Sequence, residues 1–287
     1  MDTYELQKQN MQQSEIPDFE LEFPQLISQI QQIVSSQISF VTKLFGTYPK
    51  QFKQVCKQIE AKIVQWSWLK KQSNNKVVYH VYKMLFSLVN DEEFNNLSRV
   101  DQNILLWATL LHDICKIGEP TIKGKDHCHP FKSGYETLKI FNELNFINLT
   151  EDQMQEWEAI FSQGYHPCKE EKGKFIHNNQ IVIQVKQFLD KIYGNSIINP
   201  QKEVILLIFL HQSLSLIKEY PPKTPLEDNY YKLLLSERFL DLFYFIAVHD
   251  SRSYKMCKPL NFTFKFSDLQ KEVKASVLAL KEIIKEK

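Results

Sequence analysis

Glycine is scarce: a chain of 287 residues carries 7. Neither GxxxxGK[ST] nor GxGxxG occurs, so there is no Gly-rich loop to cradle nucleotide phosphates. This argues against a P-loop nucleotide enzyme and against a Rossmann dehydrogenase. An excess of either charge is also missing. Lys and Arg number 35 and Asp and Glu 34, which leaves no basic footprint for coating a nucleic-acid backbone. A small phosphorylated substrate held by a few local lysines is compatible with that balance. The 5 cysteines form no CxxC pair, and their odd number argues against a disulfide framework and for a reducing compartment. Long charge-free apolar runs are lacking too. "VILLIFLHQSLSLI" and "FLDLFYFIAV" are too short or too interrupted to span a bilayer. The N-terminal "MDTYELQKQNMQQSEIPDFELEF" has neither the apolar core of a signal peptide nor the Arg-rich, acid-poor character of a transit peptide. The expectation is a cytoplasmic protein without membrane contact and without strong nucleic-acid binding.

What is present is apolar sequence in helical rhythm. Hydrophobic residues at 43% and aromatic residues at 13% suffice for a real core. Residues 1–22 read as a flexible tail. "FPQLISQIQQIVSSQISFVTKLFG" repeats at helical spacing and stops at Gly46, and "QFKQVCKQIEAKIVQWSWLKK" follows as one helix. "VVYHVYKMLFSLVN" is the next. "SRVDQNILLWATLLHDICKIG" starts at a Ser98 cap and ends at Gly118-Glu-Pro120. "HPFKSGYETLKIFNELN" opens with proline in its first turn, and Thr150 caps "TEDQMQEWEAIFSQG". "NNQIVIQVKQFLDKIYG" is helical in pattern. Asn199-Pro200 and Thr224-Pro225 each open a further helix, the second running on through "HDSRS". "NFTFKF" alternates like a short strand, and Ser267 with Gln270 reads as a capping box for the last helix. The fold class expected is all-α, a helical bundle with extra N-terminal helices and a C-terminal helix.

Ionisable groups stand in or beside these apolar stretches. His80 lies mid-helix. His112-Asp113 closes the next apolar helix in "LLWATLLHDICKIGEP". His129 starts the following one, His211 lies in "LIFLHQS", and Asp250 lies in "FIAVHDSRS". A buried carboxylate is costly unless paired. Helices around one core bring such groups together, and a divalent cation pairs all of them. Imidazoles with carboxylates suit Mn, Fe, Co, Ni or Zn, with Mg for a carboxylate-rich part, as one ion or two.

The order H…HD…H…H…D, with "HDICK" at 112–116 and "HPFKSG" at 129–134, resembles the HD-domain metal-dependent phosphohydrolases. The run "LLHDICKIGEPTIKGKDHCHPFKSG" is most like the HD domain attached to bacterial tRNA nucleotidyltransferases, without their nucleotidyltransferase domain. "FLHQS" resembles the later histidine of that family and "AVHDSRS" its closing segment, with His249 where a small residue is more usual. The resemblance covers roughly residues 75–255, leaving accessory helices at 23–74 and an extension at 256–287. It implies His80, His112, Asp113 and Asp250 as metal ligands. It implies His129 and His211 at a second metal or at the substrate phosphate. Lys116 would act on the phosphate, with Lys132 and Arg252 beside it. With two metals, Asp113 is the natural bridging carboxylate. The implied activity is hydrolysis of a nucleotide or small phosphate mono- or diester by metal-activated water.

Two other functions fit the same ligand order. One is a non-catalytic HD-fold subunit whose N-terminal or C-terminal helices contact a protein partner. The other is a di-iron oxygenase, ranked lower because "HPFKSG" resembles the phosphohydrolase branch. "DHCHP" and "YHPC" also raise a structural zinc reading through His127, Cys128, His129, His166 and Cys168, but the usual C-x₂₋₄-C or H-x₃₋₅-H pairs are missing. Trp66, Trp68, Trp107 and Trp157 read as helix-contact residues, and Arg238 with Asp241 as an i,i+3 ion pair.

Overall fold

Two helices are buried on all sides over most of their length, and the fold is built around them. The computed structural model describes residues 16–35, 50–72, 76–116, 128–162, 168–171, 174–177, 179–194, 199–218, 222, 225–256 and 265–285. Its helices are α1 (Phe19–Glu22), α2 (Leu26–Ser35), α3 (Lys50–Lys62), α4 (Trp66–Gln72), α5 (Lys76–Val89), α6 (Glu92–Asn95), α7 (Arg99–Leu111), α8 (His129–Glu143) and α9 (Glu151–Ser162). After them come strands β1 (Cys168–Glu171) and β2 (Lys174–His177), then α10 (Asn179–Tyr193), α11 (Pro200–Leu210), α12 (Asp228–Leu234), α13 (Glu237–Met256) and α14 (Phe266–Lys285). The architecture is all-α, with one small antiparallel hairpin that pairs Cys168 with His177.

The central helices are α7 and α11. Every residue from Asn103 to Leu111 and from Glu203 to Leu210 is buried, as expected of helices surrounded by others. Ser98 opens α7, its hydroxyl accepting from Asp101 N at 3.2 Å. Asn199 opens α11, its side chain accepting from Lys202 N at 3.0 Å, with Pro200 in the first turn. α11 lies against α7 and α8, while α13 lies against α5 and α7, and α14 covers α13. Gly134 is what lets α8 approach α11: a Cβ there would stand 2.9 Å from Phe209 Cδ2. Arg238 on α13 reaches Asp101 at 2.6 Å and Glu203 at 3.0 Å, pinning three helices.

Several sequence expectations change. The stretch Ile16–Glu22, expected within a flexible tail, is docked: Phe19 and Phe23 are buried, and Phe19 stands edge-on to Trp107 at 5.4 Å. Trp107 Nε1 donates to Pro17 O at 3.1 Å, and Arg99 grips Asp18 and Glu20 at 2.7 and 2.8 Å. Residues 51–71 form two helices, not one. The chain turns at Ile63–Gln65, where Gln65 is buried and donates to Glu143 at 2.8 Å, and Ile63 and Trp66 bury on either side. The helix expected from Thr224 starts instead at Asp228 and breaks at Leu235–Ser236, where the Ser236 hydroxyl accepts from Phe239 N at 3.1 Å and starts α13. Arg238 and Asp241 do not pair, because Arg238 faces the core carboxylates and Asp241 faces Lys281 at 2.6 Å. α14 begins at Phe266, so Ser267 lies in its first turn and not before it. The strand proposed for "NFTFKF" falls mostly outside the described residues, and Phe266 at its end is helical.

Candidate metal centre

α7 ends one residue before His112, and this early stop makes the site. The expected continuation to Gly118 does not occur. Residues 112–115 form a turn instead, with Ile114 N bonded to Leu111 O and Lys116 N to Asp113 O. The turn is tied to α8 by Cys115 N, which donates to Ser133 Oγ at 3.1 Å. It leaves His112 and Asp113 buried side by side at the end of the central helix. α11 ends in the same way at His211. His129 sits at the start of α8, and His80 and Asp250 face each other from α5 and α13.

Six side chains from five places in the chain thus converge. His80, His112 and Asp250 form one group, and Asp113, His129 and His211 a second. Asp113 joins them. Its Oδ2 is 3.5 Å from Nε2 of both His80 and His112, while its Oδ1 is 2.9 Å from His129 Nε2 and 3.9 Å from His211 Nε2. The His80 and Asp250 side chains are 12% and 29% exposed, but those of His112, Asp113, His129 and His211 are each 1% exposed. Solvent therefore reaches the first group and not the second.

The hydrogen bonds assign the protons. His112 Nδ1 is 2.9 Å from Thr109 O, and His211 Nδ1 is 2.7 Å from Ile208 O. A carbonyl only accepts, so both rings carry their proton on Nδ1. His80 Nδ1 is 2.9 Å from Ser253 Oγ, whose own proton goes to Asp250 O at 2.7 Å, so His80 is also an Nδ1–H donor. The Nε2 atoms of His112 and His211 are then lone pairs aimed inward, while His80 Nε2 donates to Asp250 Oδ1 at 2.9 Å. Burial lowers the His211 pKa to about 3, with His129 and His112 adding repulsion, and burial likewise lowers that of His112. Burial pushes Asp113 up, but Lys116 first and then His112 and His129 outweigh it and hold its carboxyl well below the usual range. Asp250 is also lowered, because its hydrogen bond to His80 overcomes burial.

This donor set fits a divalent cation. Neutral imidazoles whose far nitrogen is bonded to a carbonyl or hydroxyl, beside ionised carboxylates, are what such an ion needs. Asp113 Oδ1 is buried and takes no well-directed hydrogen bond, so an acceptor is left over at the junction of the two groups.

Lys116 reaches this junction, with Nζ 2.8 Å from Asp113 Oδ2 and a side chain 36% exposed. Lys132 lies one turn beyond His129 on α8 and is half-buried. Arg252 is not brought to the cluster. Its guanidinium turns onto Ser87 Oγ at 3.1 Å and over the Phe266 ring at 3.9 Å, because the next helix, α14, offers an aromatic face there. His249 is held away from the centre by Ser87 at 2.8 Å. In the zinc reading, His127 and His166 lie outside the described residues, and His129 belongs to Asp113. Sequence reasoning missed Ser253 and Gln212, which lies 3.4 Å from His129 Nε2. Ser253 carries a signal in hindsight, since it follows Asp250 by three residues, one helical turn.

No helix among the described residues is long and apolar enough to cross a membrane. Comparison of the chain with protein-family models, with curated proteins and with solved structures returns no match.

Proposed function

We propose that the chain is an HD-type metal-dependent phosphohydrolase acting on a nucleotide or another small phosphate mono- or diester. One observation carries this reading: two histidine–carboxylate groups share Asp113, with His80, His112 and Asp250 on one side and His129 and His211 on the other. The balanced charge favours a small substrate over long RNA. A divalent ion in these groups would supply an acidified water and a Lewis acid for a phosphoryl oxygen. His80, His112, His129 and His211 would hold it as neutral donors, and Asp113 and Asp250 would balance its charge. The first group, which solvent reaches at His80 and Asp250, would face the substrate, and the second, buried group would not. Lys116, bound to Asp113 in the structure, has a flexible stem and the exposure to swing onto a phosphate oxygen and stabilise its developing charge.

The test is metal content per chain after purification without chelator, followed by a screen of nucleotides and phosphate esters. Near-stoichiometric Mn, Co, Ni, Zn or Mg with phosphate release supports the reading. About two irons per chain with oxygen-dependent turnover would replace it with the oxygenase reading. Bound metal without turnover on any phosphate ester would favour a non-catalytic subunit.

A further inference from the structure

Three histidines of the centre are steered through Nδ1, and one differs from the others. His112 and His211 bond to main-chain carbonyls one turn back on their own helices. Those carbonyls lie in the last turn of a helix, where the usual i+4 partner is lost, and Ile208 O takes only a long 3.5 Å bond from His211 N. No side-chain substitution removes such a bond. His80 lies inside α5, where the carbonyls are used by the helix itself. Its Nδ1 is held from another helix, by Ser253 Oγ at 2.9 Å. Ser253 is fully buried, and its proton is committed to Asp250 O at 2.7 Å. The hydroxyl therefore meets His80 only as an acceptor.

We infer that Ser253 is a positioning residue for the first group: it holds His80 through Nδ1–H, so that Nε2 is the nitrogen left to face Asp250 Oδ1 and an incoming cation, and it ties that ring to the main chain at Asp250. This rests on the metal-centre reading above. A hydroxyl placed here couples the two donors that reach solvent, His80 and Asp250, through one hydrogen-bonded link. The competing role is helix attachment. α5 and α13 share a second link, Ser87 Oγ to His249 Nδ1 at 2.8 Å, which touches none of the six converging side chains. Ser87→Ala thus separates attachment from positioning.

The experiment uses the full chain stripped of metal. Long-range ¹H–¹⁵N spectra report the tautomer of His80, and a Mn²⁺ titration reports affinity. Wild type is expected to show Nδ1–H. Ser253→Ala is expected to shift His80 toward Nε2–H and to weaken one Mn²⁺ site by about 10–100-fold. Ser253→Thr, which keeps the hydroxyl, should restore both, and Ser87→Ala should change neither. Unchanged tautomer and affinity in Ser253→Ala would overturn the inference. So would equal weakening by Ser87→Ala, which would make the link mere attachment. If Ser253→Ala does not fold, wild-type His80 decides, because an Nε2–H tautomer there overturns the inference directly. A wild type with the Nδ1–H tautomer that takes up no Mn²⁺ overturns the metal-centre reading instead, and the inference with it.

Discussion

His80 Nε2 and His112 Nε2 face each other at 3.3 Å. His112 carries its proton on the far nitrogen, so its Nε2 is a lone pair, while His80 Nε2 hydrogen-bonds Asp250. Asp250 Oδ1 stands 2.9 Å from one and 4.0 Å from the other. Two ionised carboxylates and a buried lone pair gathered this closely repel one another and attract a cation. Metal is therefore expected to raise the thermal midpoint, increasingly so as its concentration rises above Kd.

Asp113 is the residue whose loss touches both groups. Asp113→Ala is expected to bring metal content close to zero and abolish hydrolysis, while the far-UV helical signal survives. Metal analysis and circular dichroism on the same sample check this. A variant that keeps both metal and activity would remove Asp113 from the site.

Acid should destabilise the metal-free protein in a defined window. His211 is lowered to about 3, by burial first, against an ordinary 6.5, and His112 is lowered in the same direction. Below about pH 6.5 the unfolded chain takes up protons that the folded chain refuses. Stability is thus full above that pH and falls toward pH 3, by about 1.4 kcal/mol per pH unit for each such imidazole. Asp113 and Asp250, held low in the fold, add their losses only below their ordinary 3.8. Urea unfolding at a series of pH values should show the first slope, and His211→Gln should flatten it.

Gly134→Ala places a methyl 2.9 Å from Phe209 Cδ2. Overpacking of this kind costs about 1–3 kcal/mol. α8 carries His129 and α11 leads to His211, whose Nε2 atoms are 3.3 Å apart. Parting the helices should weaken metal binding as well as lower the melting temperature. A melt and a Mn²⁺ titration distinguish the two effects.

Arg238→Ala leaves Glu203 buried without its guanidinium, 3.0 Å away in the wild type. Burial already raises the Glu203 pKa, and Arg238 opposes that. The variant should lose about 1–3 kcal/mol at neutral pH, with Arg238 itself partly exposed. The loss should shrink at a lower pH, because burial pushes the Glu203 carboxyl up and it takes up a proton as the pH falls. Denaturant titrations at both pH values check this.

The helices and their caps were legible because Ser98, Thr150 and Asn199 act locally, each bonding a backbone N–H three residues ahead. The convergence of six ionisable residues was legible as an order along the chain. Three features were not. Breaks at Ile63–Gln65 and Leu235–Ser236 carry no glycine or proline; the first goes with the distant Gln65 contact to Glu143, and the second with a Ser236 cap inside what reads as one continuous apolar run. The family resemblance implies Arg252 as a phosphate contact, but the face it takes is set by Phe266 on a later helix. The docking of Ile16–Glu22 was hidden by a polar, Gln-rich beginning, although Phe19 and Phe23 carry the contact.

That docking has a mechanical consequence. The residues that hold the incoming N-terminal segment, Arg99, Asn103 and Trp107, stand on α7, the same helix that delivers His112 and Asp113. α7 has 13 residues, a rod of about 20 Å. Its near end is gripped by Asp18 and Glu20 and its far end by the histidine–carboxylate cluster. A tag, a truncation or a tether that pulls residues 16–23 away would act as a lever on the opposite end. The cost of shortening the chain there would be read in ion occupancy before it was read in loss of helix.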